Sequence, residues 1–342
     1  MGSNIRRLVL VAVTLVVAAV ANRADLGVVL RAQQGSASTP STQGLEVLRV
    51  RPNFYMIAGA GANIGVQVGR DGVIVVDAGS EEKADAVVAA IRAISDQPIR
   101  FVIDTSAGLD HVGGNEKLAK AGQTLFNTDN NPGRLTITNG GAATVISTER
   151  VLFRMSAPPP GVPPFATVAL STEPFFEKRK VMYFNGEGLE ILAAPAAHSD
   201  GDAMVFFRGS DVVVAGEVLD TTRFPVIDLT AGGSVQGEID ALNKLMEIAI
   251  PSVPFDWRDD GTLVIPARGR ICDQIDVADY RDMVTIVRDR IRQKIREGKT
   301  RAEVQASSPT QGFTRRYGSD SGRWTTAMFV EAVYKSLESS HQ

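Results

Sequence analysis

A short β-rich run over residues 99–104 leads directly into Asp104-Thr-Ser-Ala-Gly-Leu-Asp110-His111-Val-Gly-Gly-Asn115, and no other stretch constrains the fold so tightly. A buried strand over 99–104 delivers the loop 106–111 at its C-terminal end, and residues 115–121 resume as a helix. The loop places Asp110 and His111 together, in front of two glycines. Histidine is scarce in this chain: His111, His198 and the penultimate His341 are all there are.

Four further segments follow in order. They are Ala197-His198-Ser-Asp-Gly-Asp202, then Val214-Ala-Gly216-Glu217, then Arg223-Phe-Pro-Val-Ile-Asp228 with Gly232-Gly233-Ser234, and last Val264-Ile-Pro266-Ala-Arg268-Gly269. Together with the first they resemble the metallo-β-lactamase superfamily across residues 45–335. The family signature H-x-H-x-D-H-x-G-G-N is intact from Asp110 to Asn115, but Ser106 and Gly108 stand where two histidines are expected. A-H-T-D-G-D retains its histidine as His198. Glu217 replaces the bridging Asp of the G-D segment, and Arg268 replaces the last histidine, that of V-I-P-G-H-G.

The secondary-structure pattern agrees with that fold. Strands are expected over 63–69 and 72–77, and a helix over 81–94 with Ser80 as a possible cap. A strand is expected over 143–147, and residues 158–164, with five prolines, form an extended loop. Asn185-Gly186 and Gly209-Ser210 each mark a hairpin. Ser234 caps a helix to about residue 248, Asp273 caps one to about 297 that stops at Gly298, and Thr300 with Glu303 forms a capping box. Residues 324–337 make a terminal amphipathic helix. This order fits the fold that the resemblance implies, an α/β four-layer αβ/βα sandwich with two sheets face to face and helices outside. The expected divisions are a signal peptide over 1–32, a linker over 33–44, the main domain over 45–297 and a C-terminal helical extension over 298–342. Residues 127–141 are an insertion relative to the family pattern.

Arg6 and Arg7 precede an apolar run over 8–21, with small residues at Ala19-Val20-Ala21 and near Ala32. That layout is a secretory signal peptide, too short for a comfortable membrane span. The expectation is a periplasmic or secreted protein with no stable span after cleavage. Cleavage after Ala32 leaves 32 basic and 38 acidic residues, a net charge of −6, which disfavours a nucleic-acid partner. Cys272 is the only cysteine, so there is no internal disulfide. It is read as a buried small residue.

The resemblance implies hydrolysis at one or two metal ions, which generate hydroxide and polarise an oxygen. Zinc takes about four N, O or S ligands. One family metal uses the two histidines of the first loop plus His198, and only His198 survives. The other uses Asp110, His111, the bridging carboxylate and the final histidine, with Arg268 now placing a fixed positive charge there. Three readings follow. In the first the metal site is eroded, and Arg268 pairs with Asp110 or Glu217 in place of the ion. In the second Asp110, His111, His198 and Glu217 hold one zinc or iron ion, Asp110 being the catalytic candidate, for hydrolysis of an ester, thioester or lactone. In the third the cleft binds an anionic small molecule through Arg268 without catalysis. Simpler roles exist: Asp110 as a helix cap, His111 as a structural histidine, Gly108 as a turn residue, Asp77 orienting the site from behind, and Asp200 or Asp202 orienting His198 or starting the next strand. Fold alone selects no substrate.

Overall fold

The computed structural model describes residues 39–42, 44–125, 141–158, 160–252 and 261–339. The expected signal peptide and the expected insertion over 127–141, apart from residue 141, lie outside them.

Eight strands form the first sheet in chain order: β1 (Thr39–Thr42), β2 (Leu45–Arg51), β3 (Phe54–Ala58), β4 (Ile64–Gly69), β5 (Gly72–Val76), β6 (Ile99–Ile103), β7 (Thr144–Thr148) and β8 (Glu173–Phe175). Pairing is antiparallel from β1 to β5 and parallel from β5 to β8. Between these strands lie α1 (Ala84–Ile94), α2 (Leu109–Val112), α3 (Asn115–Ala121) and α4 (Glu149–Ser156). The second sheet holds β9 (Arg179–Phe184), β10 (Glu187–Ala193), β11 (Ala203–Phe207), β12 (Val212–Asp220) and β13 (Leu263–Arg268), in the order β13-β12-β11-β10-β9. Only its β12–β13 pair is parallel. Helices α5 (Val235–Ile248), α6 (Gln274–Arg296), α7 (Arg301–Ala306), α8 (Thr314–Tyr317) and α9 (Thr326–Ser339) complete the chain.

Strand periodicity divides the core into three apolar layers. Val73 and Val75 of β5 pack outward with Val87 and Ile91 of α1, whereas Ile74 and Val76 point inward. The inward layer joins Phe54, Ile74 and Ile103 to Phe207, Val212 and Val214 of the second sheet. The opposite face of β12, Val213 and Ala215, packs under Leu242, Val284 and Val333 of α5, α6 and α9. Helix, sheet, sheet, helix is the predicted four-layer sandwich.

The cap chemistry holds at three helices. Ser234 accepts from Gly237 N, and Asp273–Asp276 and Thr300–Glu303 form reciprocal capping boxes. Ser80 is a correction: its hydroxyl caps nothing, because the chain first makes a 3₁₀ turn over Glu81–Lys83. Within the expected linker, Thr39–Thr42 pair with β2. The C-terminal helices share one apolar cluster with the second sheet, through Val304, Tyr317, Phe329 and Val333. Among the described residues no helix is long and apolar enough to cross a membrane.

Candidate functional site

Four parallel strand ends converge on one rim of the sandwich: Asp77 directly follows β5, Asp104 directly follows β6, β12 carries Glu217 and Asp220, and β13 ends at Arg268. The Gly113-Gly114-Asn115 signature has a steric cause. A Cβ on Gly114 would lie 2.3 Å from the Ala78 carbonyl oxygen, so only glycine lets α3 start this close to the end of β5. The contact is fixed by Ala78 N donating to the His111 carbonyl at 2.6 Å and by Gly114 N donating to the Gly79 carbonyl at 3.0 Å. Asn115 continues the anchorage, donating to Asp104 Oδ2 at 2.9 Å and to the Ala169 carbonyl at 3.1 Å. From the other side Val112 packs against Val151 and Met155 of α4.

Glu217 reaches the rim because β12 is bulged: its pairing with β13 shifts register on both sides of Gly216, which has φ +53°. A Cβ there would meet Thr105 Oγ1 at 2.4 Å.

His111 is fully buried between two carboxylates. Nδ1 lies 3.0 Å from Asp77 Oδ2, and Nε2 lies 2.8 Å from Glu217 Oε1. Asp77 is itself fully buried, sits at φ +64°, and accepts from Thr105 N at 2.9 Å and Thr105 Oγ1 at 2.7 Å. With a carboxylate at each ring nitrogen both nitrogens donate, which describes an imidazolium. Burial by itself would lower the His111 pKa; the charges and hydrogen bonds of Asp77 and Glu217 overcome it and hold the ring well above the usual histidine range. For Glu217 burial works upward, and His111 with Arg268 outweighs it, holding the carboxyl well below the usual carboxylate range.

Arg268 closes the network. Its Nη2 bonds Asp110 Oδ2, and its Nη1 donates to Glu217 Oε1 at 2.8 Å and to Asp220 Oδ2 at 3.4 Å. Asp220 also accepts from Arg223 Nε at 2.6 Å. Charges therefore alternate along Asp77, His111, Glu217, Arg268 and Asp110, so that each carboxylate faces a cation and each cation at least two carboxylates.

The sequence-derived candidates are thus only partly assembled. The ligand atoms of Asp110, His111 and Glu217 lie within 4.8 Å of one another, the one such group among the described residues. His198 is not in it. Its Nδ1 lies 2.8 Å from the Val226 carbonyl, which fixes the donor on that nitrogen. Ser106 is buried in the loop, and Gly108 is the residue before α2. Asp110 caps no helix; it lies inside the first turn of α2 and sends its carboxylate to Arg268. Neither Asp200 nor Asp202 bonds His198. Asp200 holds Arg154, and Asp202 closes its own turn on Ser199 N and Ser199 Oγ. Cys272 is buried, as expected, and its thiol is pushed up to about 12, chiefly by that burial. The sequence reading missed Asp220 and Arg223, whose i, i+3 spacing after Glu217 was the available signal, and Glu238, an acid on the apolar face of α5.

A sequence model of the metallo-beta-lactamase superfamily matches residues 58–253. No curated protein matches the chain in sequence. Among solved structures, a metallo-beta-lactamase from Pontibacter korlensis aligns with a TM-score of 0.51 at 15% identity, over 70% of this chain and 99% of its own. The stereoselective inverting sec-alkylsulfatase Pisa1 from Pseudomonas sp. aligns with a TM-score of 0.56 at 16% identity, over 84% of this chain. The chain spans about half of that protein, 49%. The DIM-1 metallo-beta-lactamase gives a TM-score of 0.51 at 14% identity, over 70% of this chain and 97% of its own. At these identities the likeness is one of fold.

Proposed function

Because the chain belongs to the metallo-β-lactamase superfamily, we propose that it is a hydrolase-like member whose metal centre has given way to an internal ion-pair network, leaving it weakly active or inactive as a hydrolase. One observation carries this: the guanidinium of Arg268 bonds both Asp110 and Glu217, the two carboxylates that would face a metal. A cation held by protein replaces a cation held from solution. As it stands the donor set does not fit zinc, because both carboxylates already accept from Arg268. One imidazole and two carboxylates remain, and His111 Nε2 already donates a hydrogen bond to Glu217. In this reading His111 and Arg268 neutralise the cleft, and no hydroxide-generating group is present.

The three-residue cluster also supports a second reading, a single zinc or iron ion on Asp110, His111 and Glu217. It requires His111 to lose a proton and Arg268 to leave, and His198 to turn toward the cluster if it is to be a fourth ligand. The anion-binding reading is less well supported, since Arg268 already faces three carboxylates. Export as a periplasmic or secreted protein rests on Arg6, Arg7 and the apolar run over 8–21.

Elemental analysis of protein purified without chelators or a histidine tag tests the proposal. Well under one equivalent of zinc or iron per chain is expected. Two tightly bound ions per chain would refute it.

A further inference from the structure

We infer that β9 is a self-association edge, through which two copies of this chain join their second sheets by antiparallel β9–β9 pairing about Val181. β9 is the outermost strand of its sheet, and among the described residues its outer edge pairs with no other strand. Its alternation leaves Val181 62% exposed and Tyr183 75% exposed on one face, while Met182 and Phe184 turn toward the core between the sheets. The covering helices do not reach this strip: their cluster takes in Met204 and Phe206 of β11, but no residue of β9 or β10. Phe176, just before the strand, is 70% exposed.

Proteins ordinarily blunt a strand edge with charges, proline or a bulge. β9 pairs with β10 through six consecutive residues without a register shift and contains no proline; its charges are confined to its first two positions, Arg179 and Lys180, the latter paired with Glu173 at 2.7 Å, so any protection by charge stops before Val181. Residues Val181 to Phe184 are left as an uncharged edge of high β-propensity.

The identity of the occupant follows from the strand's own sequence. Antiparallel pairing centred on Val181 sets Val181 opposite its own copy, Arg179 opposite Tyr183, Lys180 opposite Met182 and Lys178 opposite Phe184. No like charges face each other, and the guanidinium–tyrosine pair adds a cation–π contact. Arg179 is already steadied by Glu190, at 3.3 Å, on the neighbouring strand. A two-fold interface requires this kind of self-complementarity. A strand-edge contact buries little area, so the dimer belongs to the weak class.

Analytical ultracentrifugation of the purified chain from about 1 µM to about 1 mM, the affinity range open to a small interface, gives the first readout. The mean mass should rise toward twice that of one chain. Val181→Lys, which sets two ammonium groups face to face on the two-fold axis, should stay at one chain mass throughout while its circular dichroism and melting temperature match the parent. Val181→Cys, with Cys272 buried, should give a disulfide-linked dimer under mild oxidation, because residues directly opposite across an antiparallel pair bring their Cβ atoms within about 5 Å. A parent chain that remains monomeric overturns the inference. So does a parent that dimerises while Val181→Lys dimerises equally well, or while Val181→Cys fails to cross-link, since the contact then lies elsewhere.

Discussion

Arg268 shows how one side chain alters the character of a site. With 22% of its side chain exposed, it lies close to carboxylates that would otherwise share a cleft without a counter-charge. Removing one partner of a buried pair typically costs about 3–5 kcal/mol, and less where water enters. Arg268→Ala should therefore lower stability by about 1–3 kcal/mol, discounted for that exposure, as read from urea midpoints at constant slope. An unchanged midpoint would mean that the carboxylates are already well solvated. Asp202 offers a test in pH. Burial raises its carboxyl to about 6 from an ordinary 3.8. The folded state binds that proton more tightly than the unfolded state, so the associated stability is fully present below about pH 4 and is lost as pH rises through about 6. Asp202→Asn removes this term. Compared at pH 4 and pH 7, the variant should gain on the parent by a few kcal/mol at the higher pH, since each pKa unit corresponds to about 1.4 kcal/mol. A stability difference that does not change with pH would contradict the assignment.

At the scale of the element, β12 does what an unbroken strand could not. A regular strand alternates its faces, and the shift at Gly216 resets the alternation so that Glu217 enters the cleft while Val218 and Leu219 stay in the core. Gly216→Ala meets two obstacles, a positive φ and a Cβ 2.4 Å from Thr105 Oγ1. The two together should cost about 2–4 kcal/mol. The substitution should also disturb Thr105, which holds Asp77. Thermal unfolding measures the first effect, and the chemical shift of the His111 ring protons reports the second. If stability and ring shifts both match the parent, the bulge is not what seats Glu217.

For the whole molecule, three apolar layers support the sandwich, and the ion-pair network lies at its rim. Dialysis against a strong chelator should leave the melting temperature unchanged, whereas ending the chain at Arg296 should be severe. That truncation strips Val304, Tyr317, Phe329, Val330 and Val333 from the cluster under β12 and uncovers α6 and the second sheet. Each such buried side chain is worth about 1.5–3 kcal/mol, so the loss of all five is comparable to the whole margin of roughly 5–15 kcal/mol that an ordinary domain possesses. The truncated chain should be recovered insoluble or molten. A soluble, cooperatively melting product would support the boundary expected at residue 297. The amino-acid order by itself determined the hairpin at Asn185-Gly186 and the caps at Ser234, Asp273 and Thr300, because each follows from turn chemistry or hydrogen bonds within a few residues, and it carried the sandwich through five ordered segments that resemble one family. It also named Asp110, His111, Glu217 and Arg268 as residues to watch. It did not contain their partnerships. His111 turning to Asp77 and Glu217, His198 turning away to Val226, and Arg268 gathering Asp110, Glu217 and Asp220 are contacts between residues up to 158 positions apart. Which of the available opposite charges meet is decided by where parallel strand ends and one bulge put them, and tertiary packing alone sets those positions.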